Sequence, residues 1–313
     1  MSRLGYGVWV GLACGLCAAT ANAADGYYGN EPLFRPAYDL AWQDDYEDSL
    51  GFEFGLRYFY GMGSQNATIG GLDFSAEDAS HFVELHGRID DYSTSTYLKG
   101  NLGIAGVIDG TYETPTSGGT QATDSGTIVY GGADLGYLAM IGDSFGAGGF
   151  VGYQYLNESV DMGRAPFMTS GGGGDSAPNS LEVHGLRLGA TARAEFGSAV
   201  DFTVDAAVIP FAYLSGTYGA FDATALDPAV TPGNAASISG NLYGGAIDAM
   251  VGFRPVENFV IRAGARAYYL TGPTETYFEL RDPADPSVAQ GFRTDGTMEL
   301  FRWGPVVELT GTF

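Results

Sequence analysis

The sequence predicts an all-β protein, a ten-stranded antiparallel transmembrane β-barrel, on three observations. About ten segments of 10–17 residues alternate apolar and polar side chains. The connections between them alternate short and long. No stretch after the N-terminal region offers 18 consecutive apolar residues, as a membrane-spanning helix would need. A period of two reads as strand. Short turns at one end and long loops at the other, with an even strand count, describe a barrel that crosses a membrane. Closure follows, because an open sheet edge in lipid leaves backbone groups unpaired.

The first element is the N-terminal stretch MSRLGYGVWVGLACGLCAATANA. Arg3 precedes an uncharged, mostly apolar run from Leu4 to about Ala19, and a small-residue ANA follows. This is the pattern of a secretory signal peptide over 1–23, with an N-terminal membrane anchor as the alternative. Neither Cys14 nor Cys17 has an aliphatic residue three positions before it, which sets aside a lipoprotein. Both cysteines of the chain lie in this segment, so the exported remainder has none with which to form disulfides. Residues 24–49 read as a solvated periplasmic leader, with Asp44, Asp45, Glu47 and Asp48 in WQDDYEDS. Their spacing is not that of a calcium loop. The barrel is expected over 50–313.

The alternating segments run over about 51–62, 80–91, 94–108, 126–141, 144–158, 181–197, 200–216, 238–253, 258–272 and 297–313. DYS, GDS, GSA and RPVEN make the short links. The long ones, 63–79, 109–125, 159–180, 217–237 and 273–296, are rich in Gly, Ser, Thr, Pro and Asp. In NFVIRAGARAYYLTG one face holds Phe259, Ile261, Ala263, Ala265, Ala267 and Tyr269, and the other holds Arg262, Gly264, Arg266 and Tyr268. Leu50, Phe52, Phe54, Leu56, Tyr58 and Tyr60 likewise oppose Glu53 and Arg57. The closing segment sets Phe301, Trp303, Pro305, Val307 and Leu309 against Arg302, Glu308 and Thr310. An arginine or lysine facing lipid at the bilayer midplane costs about 2–4 kcal/mol, so the charged faces are assigned to the lumen. Tyr58, Tyr60, Tyr153, Tyr155 and Tyr269 fall at segment ends on the outward faces, as interfacial girdles do. A soluble β-sandwich, the competing architecture, gives no reason for them.

The lumen then collects sixteen charged or titratable residues: Glu53, Arg57, Glu84, His86, Arg88, Lys99, Asp134, Arg187, Arg193, Asp201, Asp205, Asp248, Arg262, Arg266, Arg302 and Glu308. Buried charges require partners, and ten strands enclose a narrow interior that side chains largely fill. The network is therefore expected to plug and stiffen the barrel, with a narrow selective pore as the functional alternative. A net charge of −23, from 37 acids and 14 bases, argues against nucleic acid or an anionic surface as partner. It permits cations or basic peptides at acidic loops. Gly171 to Gly174 lack the Lys-Ser/Thr of a phosphate-binding loop. No residue pattern points to a cofactor or a metal.

Several strands resemble those of the omptin outer-membrane barrels: LGFEFGLRYFYGMGS the first, YLKGNLGIAG the third, FGAGGFVGYQYLNESV the fifth. LEVHGLRLGATARAEFG and VDFTVDAAVIPFAYLSGTYGAF resemble the sixth and seventh, and VVELTGTF the last. The resemblance is to the uncharacterised alphaproteobacterial type in particular. It implies a bacterial outer-membrane location, lipopolysaccharide and membrane lipid as neighbours, and a terminal aromatic strand read by the barrel assembly machinery. It also implies, in the proteases of the family, a pair of aspartates beyond the third strand and an Asp–His pair beyond the seventh, flanking an activated water. Here IDGTYETPTS offers Asp109 and Glu113, and TYGAFDATALDP offers Asp222 and Asp227 without a histidine. His184, near the outer end of the sixth segment, is the stand-in. The expectation is a non-enzymatic barrel with acidic extracellular loops for surface interaction or envelope structure. The alternatives are an endopeptidase with an altered site and a narrow solute channel.

Overall fold

The computed structural model describes residues 50–113, 119–123, 125–142, 144–161, 179–217, 231–232, 236–281, 285 and 287–313. Residues 1–49, over which the sequence pattern predicts a signal peptide and a leader, fall outside these, as do Asp222 and Asp227. Ten long strands are present: β1 Leu50–Ile69, β2 Leu72–Asp91, β3 Thr96–Glu113, β4 Ser125–Gly142, β5 Phe145–Asp161, β6 Ser180–Phe196, β7 Val200–Thr217, β8 Ser237–Val256, β9 Phe259–Arg281 and β10 Ala289–Thr312. Two-residue strands at Gln121–Ala122 and Thr231–Pro232 pair onto β3 and β9. Every neighbour is antiparallel, and β1 pairs with β10, so the sheet closes on itself. This is the architecture that the period-two alternation and the alternating links predict.

The strands are longer than the alternation indicates. β1 and β2 have 20 residues each, and their ladder runs through 63–79, read above as a long link. Only Gly70 and Gly71 make the turn, with φ of +59° and +82°. Two successive positive-φ residues match the right-handed strand twist in a two-residue hairpin and are adopted freely by glycine. Gly71→Val should therefore cost about 1–2 kcal/mol of barrel stability, read as a lower urea midpoint in lipid. β9 and β10 likewise extend to 23 and 24 residues and absorb most of 273–296.

The outward face explains why these extensions escape the pattern. From Leu50 to Tyr58 on β1 it is apolar and exposed, as are Val83, Leu85, Leu102, Leu135, Leu186, Val251, Ile261 and Val307 around the ring. A tyrosine belt closes this band on the loop side, at Tyr58, Tyr153, Tyr213, Tyr243 and Tyr269. Beyond it the outward positions turn polar, with Asn66, Glu77, Asp109 and Glu299 exposed. Strand continues where the lipid stops, so the hydrophobic period disappears there while the ladder persists.

Three local irregularities carry sequence signatures. Pro305 has no N–H to give the ladder, and the β1–β10 ladder lacks the two pairings between Phe59↔Val306 and Met62↔Trp303 there without changing register. Pro210 lies in a register shift, between Leu188↔Val208 and Leu186↔Phe211, as proline at a bulge does. A third, at Gly106, leaves one extra residue on β3 between Ala105 and Val107. It reverses the side-chain phase beyond it.

The lumen as candidate functional site

The interior divides into two halves of opposite character. In the half toward the short turns the inward positions are charged, and all sixteen lumen residues named above are part of the inner face. Glu53 on β1 pairs with Arg193 on β6 at 3.2 Å and with Arg262 on β9 at 3.4 Å. Arg262 also reaches Asp201 at 3.0 Å and Glu308 at 2.7 Å. Arg88 grips Asp90 with two nitrogens and stacks on Tyr97, 3.7 Å from the ring centre. His86 touches Thr310 at 3.2 Å and lies 3.6 Å from Glu308.

At mid-barrel, Glu84 is 0% exposed and accepts from Arg57 at 2.7 Å, Arg266 at 2.6 Å and Asn101 at 3.2 Å. Arg57 also pairs with Glu308, and Arg266 with Asp248 at 2.8 Å. Lys99 pairs with Asp205 and stands 3.7 Å from Asp134, which Arg187 approaches to 3.3 Å. Each charge meets an opposite one, on its own strand for Arg88 and Asp90 and on adjacent or more remote strands for the others, the condition under which buried ions are tolerated.

Toward the loops the inner face becomes apolar. Phe59, Phe82, Ile128, Leu156, Ile209, Leu214, Leu242, Leu270 and Leu300 pack into one buried cluster across the lumen. Phe59 and Phe82 stack at 5.3 Å between ring centres. An ionic group is set in this layer. Arg302 donates to both oxygens of Asp78 at 2.7 and 2.9 Å and to Glu158 at 2.7 Å. Tyr268 donates to the same Glu158 carboxylate, and Gln65 to the Glu158 backbone carbonyl at 2.7 Å.

Reading by alternation missed Asp78, Asp90, Glu158 and Arg254 as network members. Asp78 falls in the link 63–79 of the sequence pattern, although it continues the even-numbered inward phase of Glu84, His86 and Arg88. Glu158 ended a segment, and Arg254 belonged to a short link. Arg254 instead pairs with Glu195 at 3.2 Å.

The residues that the protease resemblance implies are placed differently from the lumen groups. Asp109 and Glu113 lie past the Gly106 bulge, so both are exposed on the outward face of β3, while Ile108 and Tyr112 turn inward. His184 is also exposed on the outside, with its Nδ1 2.6 Å from the Tyr153 hydroxyl and its ring 5.2 Å from that of Tyr155. His81 repeats the arrangement with Tyr58 and Tyr60. Both histidines are thus part of the aromatic belt. Asp109, Glu113 and His184 do not converge on a shared space inside the barrel.

Fold and lumen together define a closed ten-stranded transmembrane β-barrel of the omptin-like fold. The outer membrane protease OmpT of Escherichia coli superposes with a TM-score of 0.55 over 86% of this chain and 98% of that one, at 11% identity. At that identity the likeness concerns the fold alone. The translocator domain of the autotransporter NalP from Neisseria meningitidis matches 86% of this chain and 90% of its own, with TM-score 0.36 and 12% identity. The Pseudomonas putida toluene transporter TodX matches 84% and 89%, with TM-score 0.29 and 10% identity. No protein-family profile matches the sequence, and no characterised protein matches it by sequence.

Proposed function

We propose that the chain is a bacterial outer-membrane β-barrel, exported through a cleaved signal peptide, that works without catalysis. It holds acidic extracellular loops on a rigid, closed frame for surface interaction or envelope structure. Its neighbours are membrane lipid and lipopolysaccharide, it is inserted by the barrel assembly machinery, and its loops meet cations or basic peptides. The observation that carries this reading is the loop half of the lumen. There, apolar side chains fill the space in which a water-activating groove or an aqueous pore would stand. Asp109, Glu113 and His184 also face away from that space.

A hydrolase needs a base within about 2.6–3.2 Å of the attacking water, or one water away. A lone carboxylate serves only if burial or a like charge raises its affinity for a proton. The refolded protein with lipopolysaccharide present is therefore expected to leave dibasic peptides uncut. Cleavage that disappears in Asp222→Asn or His184→Ala but persists in Thr203→Ala would overturn the non-enzymatic reading. In planar bilayers no conductance steps are expected, and discrete steps would show a channel instead. Heat-modifiable migration on gels and recovery with outer membranes test the location.

A further inference from the structure

Three cavities adjoin one another inside the barrel. The first, about 30 Å³, lies at the short-turn mouth among Tyr92, Arg193, Arg254 and Arg262. The second, also about 30 Å³, shares Glu53, Thr203, Arg193 and Arg262 with it. The third, about 90 Å³, shares Arg57, Lys99, Asp205 and Asp248 with the second and meets Phe59 and Leu156 of the apolar cluster. The series thus forms a polar crypt of adjoining small cavities, from the short-turn mouth to the edge of the apolar cluster.

We propose that this crypt binds a small oxyanion, a carboxylate or a phosphate, at its deep end. Gln154 on β5 is only 7% exposed, lines the third cavity, and its amide nitrogen has no hydrogen-bond partner. Arg187 on β6 lines the same cavity with its Nε also unpartnered. Gln154 pairs in register with Gly132 and Gly185, and Arg187 with Gly152. The two side chains are therefore diagonal neighbours on the inner face, within reach of one ligand; Gly185 makes room for Gln154 itself, and the Asp134 carboxylate takes the place that a side chain at Gly152 would fill. Both unmet atoms are N–H donors, so the occupant must accept hydrogen bonds. A buried donor left without an acceptor is a standing cost, which an oxyanion removes.

The wall of this cavity favours the same sign. Arg57, Lys99, Arg187 and Arg266 line it against the two carboxylates Asp205 and Asp248. A 90 Å³ space exceeds the roughly 10–15 Å³ that one water needs. Guanidinium groups line the successive cavities, from Arg254 through Arg193 and Arg262 to Arg57 and then Arg187 and Arg266. Each already holds a carboxylate, so an incoming oxyanion is taken as an additional acceptor at the unmet Gln154 and Arg187 nitrogens rather than in exchange for a buried carboxylate.

The test uses the full barrel refolded in a phosphate-free detergent with glutamine side chains labelled with nitrogen-15. Formate and inorganic phosphate are titrated separately, with chloride as the non-oxyanion control. The Gln154 side-chain amide resonances are expected to shift saturably with at least one of the two oxyanions and not with chloride. Binding in Arg187→Met should be about ten-fold weaker or worse, since a charge-assisted donor is lost, and unchanged in the outward-facing Glu299→Gln. No saturable shift with either oxyanion, or an equal shift with chloride, would overturn the proposal. So would undiminished binding in a folded Arg187→Met. Should that variant fail to fold, the wild-type titrations decide alone.

Discussion

Ala263→Arg is expected to destabilise the folded barrel in bilayers by about 2–4 kcal/mol, whereas Thr271→Arg on the same strand costs about 0–1 kcal/mol. Ala263 projects from β9 into the middle of the apolar band, where its outward neighbours across the ladders are Val251 and Val307. A guanidinium there must be dehydrated or must thin the bilayer around itself. Thr271 points the same way but lies beyond Tyr269, where outward positions carry Glu299 and Asn241 as ladder partners or neighbours. Val204→Arg, flanked by Ala192 and Ala249, should behave like Ala263→Arg. Urea titration of folded and unfolded barrel in lipid vesicles reads the difference. Equal costs for Ala263→Arg and Thr271→Arg would mean that the tyrosine belt does not mark the membrane boundary.

Arg302→Met should cost about 3–5 kcal/mol near neutral pH, the penalty for stranding a buried charge. Arg302 is 1% exposed and neutralises two carboxylates, Asp78 and Glu158, inside the apolar layer. Without it both anions face Phe82, Leu300 and their neighbours with hydroxyls as the remaining donors. The deficit should shrink as the pH is lowered, because a protonated carboxyl is cheaper to bury than an ionised one. A companion Asp78→Asn change in the Arg302→Met background should recover part of the loss. A deficit that stays constant from pH 7 to pH 4 would contradict the assignment of charge burial as its cause.

The sequence disclosed the barrel where lipid and lumen impose opposite demands on successive residues. Glu53, Arg57, Glu84, Arg193, Arg262 and Glu308 were legible as inward groups because their neighbours had to be apolar. Past the tyrosine belt that contrast weakens, since polar Gln65, Asp78 and Ser80 stand among the inward groups while polar residues also face outward. Gln65 and Asp78 therefore read as loop residues although the ladder continues through them. The inversion at Gly106 was illegible for another reason: one additional residue in β3 changes no local composition, yet it turns Asp109 and Glu113 outward. Pairing across the lumen was likewise beyond alternation, which gives the side of the wall but not which strand stands opposite.

The ion pairs impose a condition on how the molecule is made. Arg57 finds Glu308 across 251 positions of chain, Arg302 finds Asp78 across 224, and Arg262 finds Glu53 across 209. Until first and last strands meet, each of these groups lacks one of its opposite charges on a sheet entering oil. A half-built barrel is thus penalised several times over. Membrane entry and ring closure are therefore bound into one concerted event, limited by a search between chain segments that are among the most remote from each other.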